Sequence, residues 1–179
     1  LFVSFEGIEG CGKTTQISLL SEQLTAKTIP HTITREPGGT RVGEVIRPIL
    51  LNSDTTDLTA VAELLLFYAS RHQNIVENIK PALERGDVVI SDRYFDSSLA
   101  YQGHGRGLPL DFIEALTEEI CGQCRPDVTL LLDIEPETGL ARAKERNKHQ
   151  SEDEGRFEAE TLEFYRRVRQ GYLELAGRP

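Results

Sequence analysis

The sequence lacks any apolar run long enough to span a bilayer, and no signal peptide opens it. We therefore expect a cytoplasmic protein with no membrane partner. The sequence also lacks an excess of cations, because 20 Lys and Arg face 29 Asp and Glu, for a formal charge of −9. Since proteins bind nucleic-acid polymers through clustered cations, this balance argues against such a partner. Single arginines beside turns instead suit a small phosphorylated ligand.

Cysteine is scarce, with three residues in the chain. Cys11 lies within a glycine-rich loop, where only a small side chain fits. Cys121 and Cys124 form one C-x-x-C motif, but a zinc site needs two further ligands at matching spacing, and none is evident. A redox pair would open a helix, whereas this pair closes one. We therefore expect two reduced structural thiols.

Apolar strand-like runs alternate with helical patterns along the whole chain. Near-continuous apolar strands separated by helices predict a parallel sheet covered on both faces, and 179 residues suit one domain. The chain begins on a strand without Met and stops after a helix, so we expect a fifth strand and a final helix to be missing from it. Strands are predicted at 1–5, 32–34, 88–91 and 128–134. Helices are predicted at 15–24, 42–51, 58–83 with a kink or junction at Pro81, 110–120, 136–146 and 158–175.

The segment Gly-Ile-Glu-Gly-Cys-Gly-Lys-Thr at 7–14 fits the phosphate-loop pattern G-x-x-x-x-G-K-[ST] at every required position. It lies between an apolar strand and a helix N-terminus, where backbone N–H groups and the helix dipole favour an anion. Lys13 is expected to reach the β and γ phosphates, and the Thr14 hydroxyl to bind Mg²⁺. The sequence therefore predicts a nucleoside triphosphate site in a three-layer α/β/α P-loop NTPase fold. The predicted ATP-binding residues of this loop are Gly7, Glu9, Gly10, Cys11, Gly12, Lys13, Thr14 and Thr15.

Three classes of phosphate-loop protein are considered for this sequence: a GTPase switch, a mechanical ATPase and a small phosphotransferase. A GTPase switch would need Asn-Lys-x-Asp after a strand, but the segment at 147–150 follows a helix and ends in Gln. A mechanical ATPase would need a larger chain and a strand ending in Asp-Glu. The third strand instead ends in Asp92-Arg93-Tyr94. There Asp92 can organise the magnesium shell and Arg93 can hold a second phosphorylated substrate, which favours a small phosphotransferase.

Seven short motifs follow one another along the chain: Glu6-Gly7-x-Glu9-Gly10-x-Gly12-Lys13-Thr14-Thr15, Arg35-Glu36-Pro37-Gly38-Gly39-Thr40, Phe67-Tyr68-Ala69-x-Arg71, Asp92-Arg93-Tyr94, Ala100-Tyr101-Gln102-Gly103, Arg125-Pro126-Asp127 and Arg156-Phe157-Glu158. They stand in the order seen in bacterial thymidylate kinases, and the sequence resembles that family along its whole length. The resemblance implies transfer of the ATP γ-phosphoryl group to dTMP, giving dTDP for dTTP synthesis, with Mg²⁺ and in a homodimer packed through long helices. A kinase for another nucleotide or a deoxynucleoside stays open as the main alternative, and a nucleotide-dependent switch as a further one.

The resemblance implies how the acceptor's phosphate and sugar are held. Arg47 and Arg93 resemble the two clamps on the monophosphate. The turn at Glu36 and Pro37 resembles one wall of that pocket. Glu9 resembles the loop carboxylate that accepts a hydrogen bond from the sugar 3′-OH, although a solvated loop charge would give the same pattern.

The resemblance also implies how the base is read. Phe67 resembles the ring that stacks on thymine, and Arg71, one helical turn later, would reach the same base. Taken alone, these two residues would favour the interpretation as a core phenylalanine and a surface arginine. Ser98 matches a position that hydrogen-bonds the base. Tyr101 resembles the side chain that excludes ribonucleotides at C2′, and Gln102 lines the same region.

The loop lacks a basic residue at its variable positions, 8–11, so it supplies no cation beyond Lys13. Family logic then assigns the charge that stabilises the transferring phosphoryl group to arginines of a mobile lid, predicted at about 142–157. The candidates are Arg146 and Arg156 for catalysis, while Arg142 would serve the phosphates or lie against adenine. Phosphoryl transfer is mostly positioning and charge neutralisation, so the predicted catalytic set is Lys13, Asp92, Arg93, Arg146 and Arg156.

Overall fold

The computed structural model describes residues 1–147 and 153–178. In these ranges no helix is both long and apolar enough to cross a membrane. The strands are β1 (Phe2–Glu6), β2 (His31–Arg35), β3 (Val88–Asp92) and β4 (Val128–Leu131). The helices are α1 (Lys13–Ala26), α2 (Arg41–Leu51), α3 (Ala60–Asn74), α4 (Lys80–Glu84), α5 (Phe95–Ser98), α6 (Leu110–Cys121), α7 (Pro136–Asn147) and α8 (Leu162–Ala176), with π-helical segments at Ile75–Ile79 and Leu99–Gly105.

The strands of the described chain form one parallel sheet in the order β2-β3-β1-β4. The predicted α/β fold and all four predicted strands are confirmed. Phe5 of β1 lies in register with Asp92 of β3. The chain therefore leaves both strands at the same edge of the sheet, which places the phosphate loop beside the turn at 92–94. Ligands of open α/β sheets bind at this edge.

The segment predicted as a buried strand at 128–134 differs from the structure in two respects. β4 ends at Leu131, and it is one of the two edge strands of the described sheet, with Val128 and Leu130 more than 40% exposed. The prediction of burial was wrong because an apolar run cannot show whether another element packs on it. Within the described ranges the sheet has four strands.

The predicted helix at 58–83 is divided into α3, a π-helical segment and α4. Pro81 lies in the first turn of α4, where it cannot donate to a carbonyl of the preceding turn, and the wider π register lies just before it. The helical run from Phe95 to Gly105 was not predicted. It contains glycines and is set by tertiary packing, since a Cβ on Gly105 would lie 2.6 Å from the Phe164 ring of α8.

Candidate functional site

A cavity of about 670 Å³ opens at the carboxyl edge of the sheet, above the phosphate loop. Most of the residues predicted from the sequence lie on its wall, although they come from seven separate segments of the chain. Gly7, Cys11, Arg71 and Arg156 are the predicted residues that do not line it. Those that line it are Glu9, Gly10, Gly12, Lys13, Thr14, Thr15, Glu36, Pro37, Arg47, Phe67, Asp92, Arg93, Ser98, Tyr101, Gln102, Arg142 and Arg146.

The phosphate loop turns through three glycines with positive φ, at 134° for Gly7, 72° for Gly10 and 99° for Gly12. α1 begins immediately afterwards at Lys13, so the helix N-terminus faces the cavity. Lys13 Nζ donates to the carbonyl oxygens of Gly7 at 3.1 Å and Ile8 at 3.3 Å. Burial and the charge of Arg93 lower the pKa of Lys13. A desolvated cation thus lies inside the loop, where the charge of an anionic ligand would offset the free-energy cost of its burial.

Arg93 occupies the turn after β3 with a φ of 73°, a left-handed conformation that costs a non-glycine residue about 1 kcal/mol or more. Its guanidinium donates to Gly7 O at 2.9 Å and to Glu9 Oε1 at 2.8 Å. Burial alone would raise the pKa of Glu9, but the charges of Arg93 and Lys13 outweigh it and lower that pKa. Tyr101 completes the cluster by donating its hydroxyl to Glu9 Oε2 at 2.5 Å. The loop carboxylate is therefore ionised and fixed.

Glu6, for which the sequence indicated no role, stabilises the turn at Arg93 through hydrogen bonds to neighbouring residues. Its buried carboxyl accepts the Tyr94 N–H at 2.7 Å, the Ser97 hydroxyl at 2.6 Å and the Tyr172 hydroxyl at 3.1 Å. Both hydroxyls also accept from Arg93 Nη1. Burial, and then the charge of Asp96, raises the pKa of Glu6 to about 8. The available signal was a carboxylate at the end of an otherwise apolar strand.

Arg71 is buried beneath the cavity rather than exposed, so the alternative interpretation as a surface arginine is wrong. Its Nε donates to Glu36 Oε2 at 2.7 Å, and its two Nη atoms donate to Ser98 Oγ and Tyr94 O, each at 3.0 Å. Phe67 stands on the cavity wall one turn earlier on α3, 6.3 Å from the Phe157 ring. The predicted base-recognition residues Phe67, Arg71 and Ser98 are therefore brought together by α3 and α5.

Arg47 projects from α2 towards the turn that follows β2. It donates to Pro37 O at 2.6 Å and makes a two-pronged pair with Glu154, from Nε at 2.6 Å and from Nη2 at 2.7 Å. The predicted phosphate clamp is therefore occupied by a carboxylate of this chain. Glu154 had no predicted role of its own.

The three candidate lid arginines lie in different places. The start of α7 packs on the phosphate loop, and this contact places Arg142 and Arg146 on the cavity wall. Arg146 is half exposed and lies 3.5 Å from Glu158 Oε1. Arg156 points away, donating to Thr55 O and Leu50 O, each at 3.0 Å, and pairing with Glu63 at 2.6 Å. Residues 148–152 of the predicted lid lie outside the described residues.

The residues predicted to hold Mg²⁺ suit that ion in type. Thr14 and Asp92 contribute oxygen ligands to the same cavity wall, one from α1 and one from the end of β3. Mg²⁺ commonly takes one or two carboxylates and completes its shell with water and substrate phosphates. In the part of the chain that the structure describes, no group of three or more His, Cys, Asp or Glu residues could form an all-protein metal site. Cys121 and Cys124 are free and buried.

Comparison with known proteins agrees with this geometry. Residues 5–178 match the family model described as Thymidylate kinase. Thymidylate kinase from Maridesulfovibrio salexigens is 50% identical over 178 residues, covering 98% of this chain and 82% of that protein. Thymidylate kinase from Syntrophotalea carbinolica is 51% identical over 176 residues, with the same coverage of each chain. The crystal structure of thymidylate kinase from Ehrlichia chaffeensis superimposes with a TM-score of 0.78 at 35% identity, covering 98% of this chain and 84% of that one. The chain belongs to the thymidylate kinase family.

Proposed function

We propose that this protein transfers the γ-phosphoryl group of ATP to dTMP, giving dTDP for dTTP synthesis. One observation carries the proposal: Lys13 Nζ and Arg93 Nη1 both donate to the carbonyl oxygen of Gly7, at 3.1 and 2.9 Å. One cation belongs to the phosphate loop and the other to the turn after β3. Both side chains also line the cavity, which supports a site that holds a donor phosphate beside an acceptor phosphate.

At the acceptor end, Arg93 and Arg47 hold the phosphate of dTMP. Phe67 stacks on thymine, and Arg71 reaches the same base from its buried position beside Ser98. Glu9 accepts from the sugar 3′-OH. The remaining wall of this pocket is formed by Glu36, Pro37, Tyr101 and Gln102.

At the donor end, the loop amides and Lys13 hold the β and γ phosphates. When bound, Mg²⁺ neutralises phosphate charge, and Thr14 and Asp92 would hold it. Arg146 neutralises charge in the transition state, and Arg142 lies against adenine or the phosphates. No general base is required, because the acceptor's phosphate oxygen is already ionised at neutral pH. Arg156 receives less support as a catalytic residue because its guanidinium is committed to α2 and Glu63.

The remaining parts of the proposal concern motion and assembly. Residues at about 142–157 form the lid of a single cytoplasmic kinase domain, and the lid closes over the phosphates. Two copies pair through their long helices. This is supported by apolar side chains of α2 and α3 that are more than 40% exposed, namely Val45, Ile49, Val61 and Leu65.

Steady-state assays with ATP and Mg²⁺ test the reaction by comparing dTMP, dUMP, dCMP, dGMP and thymidine as acceptors. We expect dTMP to give the highest kcat/KM, and Lys13→Ala to remove activity with every acceptor. A preference for thymidine would overturn the dTMP assignment. GTP hydrolysis without transfer to any monophosphate would indicate a switch protein instead.

A further inference from the structure

The two-pronged contact between Arg47 and Glu154 lies in the acceptor pocket of the proposed function. Nε and Nη2 of Arg47 each donate to a separate oxygen of the Glu154 carboxylate, and Nη1 donates to Pro37 O. This fork matches the geometry by which arginine binds the oxygens of a phosphate. Both side chains are sheltered, being 15% and 25% exposed. The carboxylate therefore takes the hydrogen bonds that a ligand phosphate would need.

Glu154 is held in place by its neighbours in sequence. The Ser53 hydroxyl donates to Asp153 Oδ2, immediately before it. Two residues after it, the Arg156 N–H donates to Leu51 O at 3.0 Å, and the Arg156 side chain donates to Leu50 O. The segment 153–156 thus lies along the C-terminal end of α2, the helix that carries Arg47. These contacts direct Glu154 towards the acceptor clamp rather than into solvent.

We propose that Glu154 sets the affinity for the acceptor by binding Arg47 until the phosphate of the nucleotide displaces it. The inference rests on the proposed function, in which Arg47 holds that phosphate. The hydrogen bonds from Arg47, with the charges of Arg47, Arg35 and Arg146, lower the pKa of Glu154 despite its burial, so the competitor is an anion. A ligand that binds only one of two states has its apparent affinity reduced by the fraction of protein in that state. By pairing with Arg47, Glu154 lowers the fraction of protein in which Arg47 is available to the phosphate of dTMP.

Calorimetric titration of dTMP into Glu154→Gln and Glu154→Ala tests the inference, with steady-state kinetics beside it. We expect Kd and KM for dTMP to fall roughly two- to five-fold, the range for a solvent-screened ion pair, with kcat unchanged. Asp153→Asn is the matched control, because it removes one negative charge from the adjacent position, which does not contact Arg47. Asn can keep both contacts of Asp153, accepting from Gly155 N through Oδ1 and donating to the Ser53 hydroxyl through Nδ2, so Kd for dTMP should stay unchanged. Thymidine, which has no phosphate, should bind wild type and Glu154→Gln equally.

A double-mutant cycle separates the specific contact from a general charge effect. In an Arg47→Ala background, Glu154→Gln should no longer tighten dTMP binding. An unchanged or weaker dTMP affinity in both Glu154 variants, or an equal gain in Asp153→Asn, would overturn the inference while leaving the proposed function intact. If wild type neither binds nor phosphorylates dTMP, the proposed function itself fails. Thermal melts of every variant show whether a loss of affinity reflects unfolding.

Discussion

Gly10 of the phosphate loop and Gly139 of α7 meet backbone to backbone. A Cβ on Gly10 would lie 2.1 Å from the carbonyl oxygen of Gly139, and a Cβ on Gly139 would lie 2.6 Å from the carbonyl oxygen of Glu9. Neither backbone oxygen can move aside as a side chain could. This approach fixes the start of α7 against the loop, and thereby positions Arg142 and Arg146 at the cavity.

Gly139→Ala should therefore impair catalysis even though alanine favours a helix by about 1 kcal/mol. The added methyl group must push α7 away from the loop, and a displacement on the order of 1 Å at a reacting group costs about 100-fold in rate. We expect a fall in kcat/KM of roughly 10- to 100-fold, measured with dTMP and ATP. Gly177→Ala, where the nearest atoms lie 3.6 Å from the added carbon, should stay close to wild type. Wild-type activity in Gly139→Ala would show that the loop and α7 are not rigidly coupled.

Glu6 should make the folded state less stable as pH rises. Its pKa is about 8 when folded, raised by burial and then by Asp96, against an ordinary value of 4.5. Its contribution to stability is fully present below pH 4.5 and is lost as pH rises through about 8. Urea unfolding between pH 5 and 8.5 should show a slope of up to about 1.4 kcal/mol per pH unit that Glu6→Gln removes.

Asp96 also contributes to the dependence of stability on pH, because burial raises its pKa as well. Asp96→Asn is therefore the control, and it should lower the pKa of Glu6 without abolishing the slope. The Ser97 and Tyr94 hydrogen bonds and the charge of Arg93 act in the opposite direction. Equal slopes in wild type and Glu6→Gln would contradict the assignment of the transition to Glu6.

Arg146 and Arg156 should respond differently to removal. Arg146→Ala should lower kcat far more than it raises KM for dTMP, because the half-exposed side chain lies on the cavity wall. Its contacts are long, at 3.3 Å to Asn147 Oδ1 and 3.5 Å to Glu158 Oε1, so it can leave them to meet the transferring group. Arg156→Ala should instead destabilise the fold by about 2 kcal/mol, since it leaves Leu50 O and the buried Glu63 with fewer donors. Steady-state kinetics and thermal melts of both variants test this pair. An unchanged kcat in Arg146→Ala would transfer the role to Arg142 or Arg156.

Two substitutions of Tyr101 should distinguish the role of its ring from that of its hydroxyl in selecting the sugar of the acceptor. Tyr101→Ala should narrow the gap in kcat/KM between deoxyribonucleotide and ribonucleotide acceptors, because the ring that excludes a 2′-OH is lost. Tyr101→Phe keeps the ring beside Phe157 and Phe164 and removes only the hydroxyl bound to Glu9. It should preserve the gap. If the difference in kcat/KM between deoxyribonucleotides and ribonucleotides is unchanged in Tyr101→Ala, another side chain excludes the ribonucleotides.

The local features of this protein could be predicted from its sequence. The phosphate loop depends on spacing within eight residues, and the four parallel strands depend on apolar runs bounded by helices. The short motifs also identified the family. Sequence could not show that the run at 128–134 lies at the edge of the sheet, nor that glycine-bearing residues around Gly105 form a helix against Phe164.

The sequence by itself determined which chemical groups this protein can offer to two phosphates, because phosphate loops and arginine-bearing turns are recognisable over short spans. Tertiary structure alone decided which of those groups share one cavity. It buried Arg71 against Glu36, turned Arg156 away from the cavity and set Glu154 on Arg47. These outcomes depend on contacts between residues that are 35 to 107 positions apart in the chain. Such contacts are selected by packing and burial in the folded protein, and no local sequence pattern encodes them.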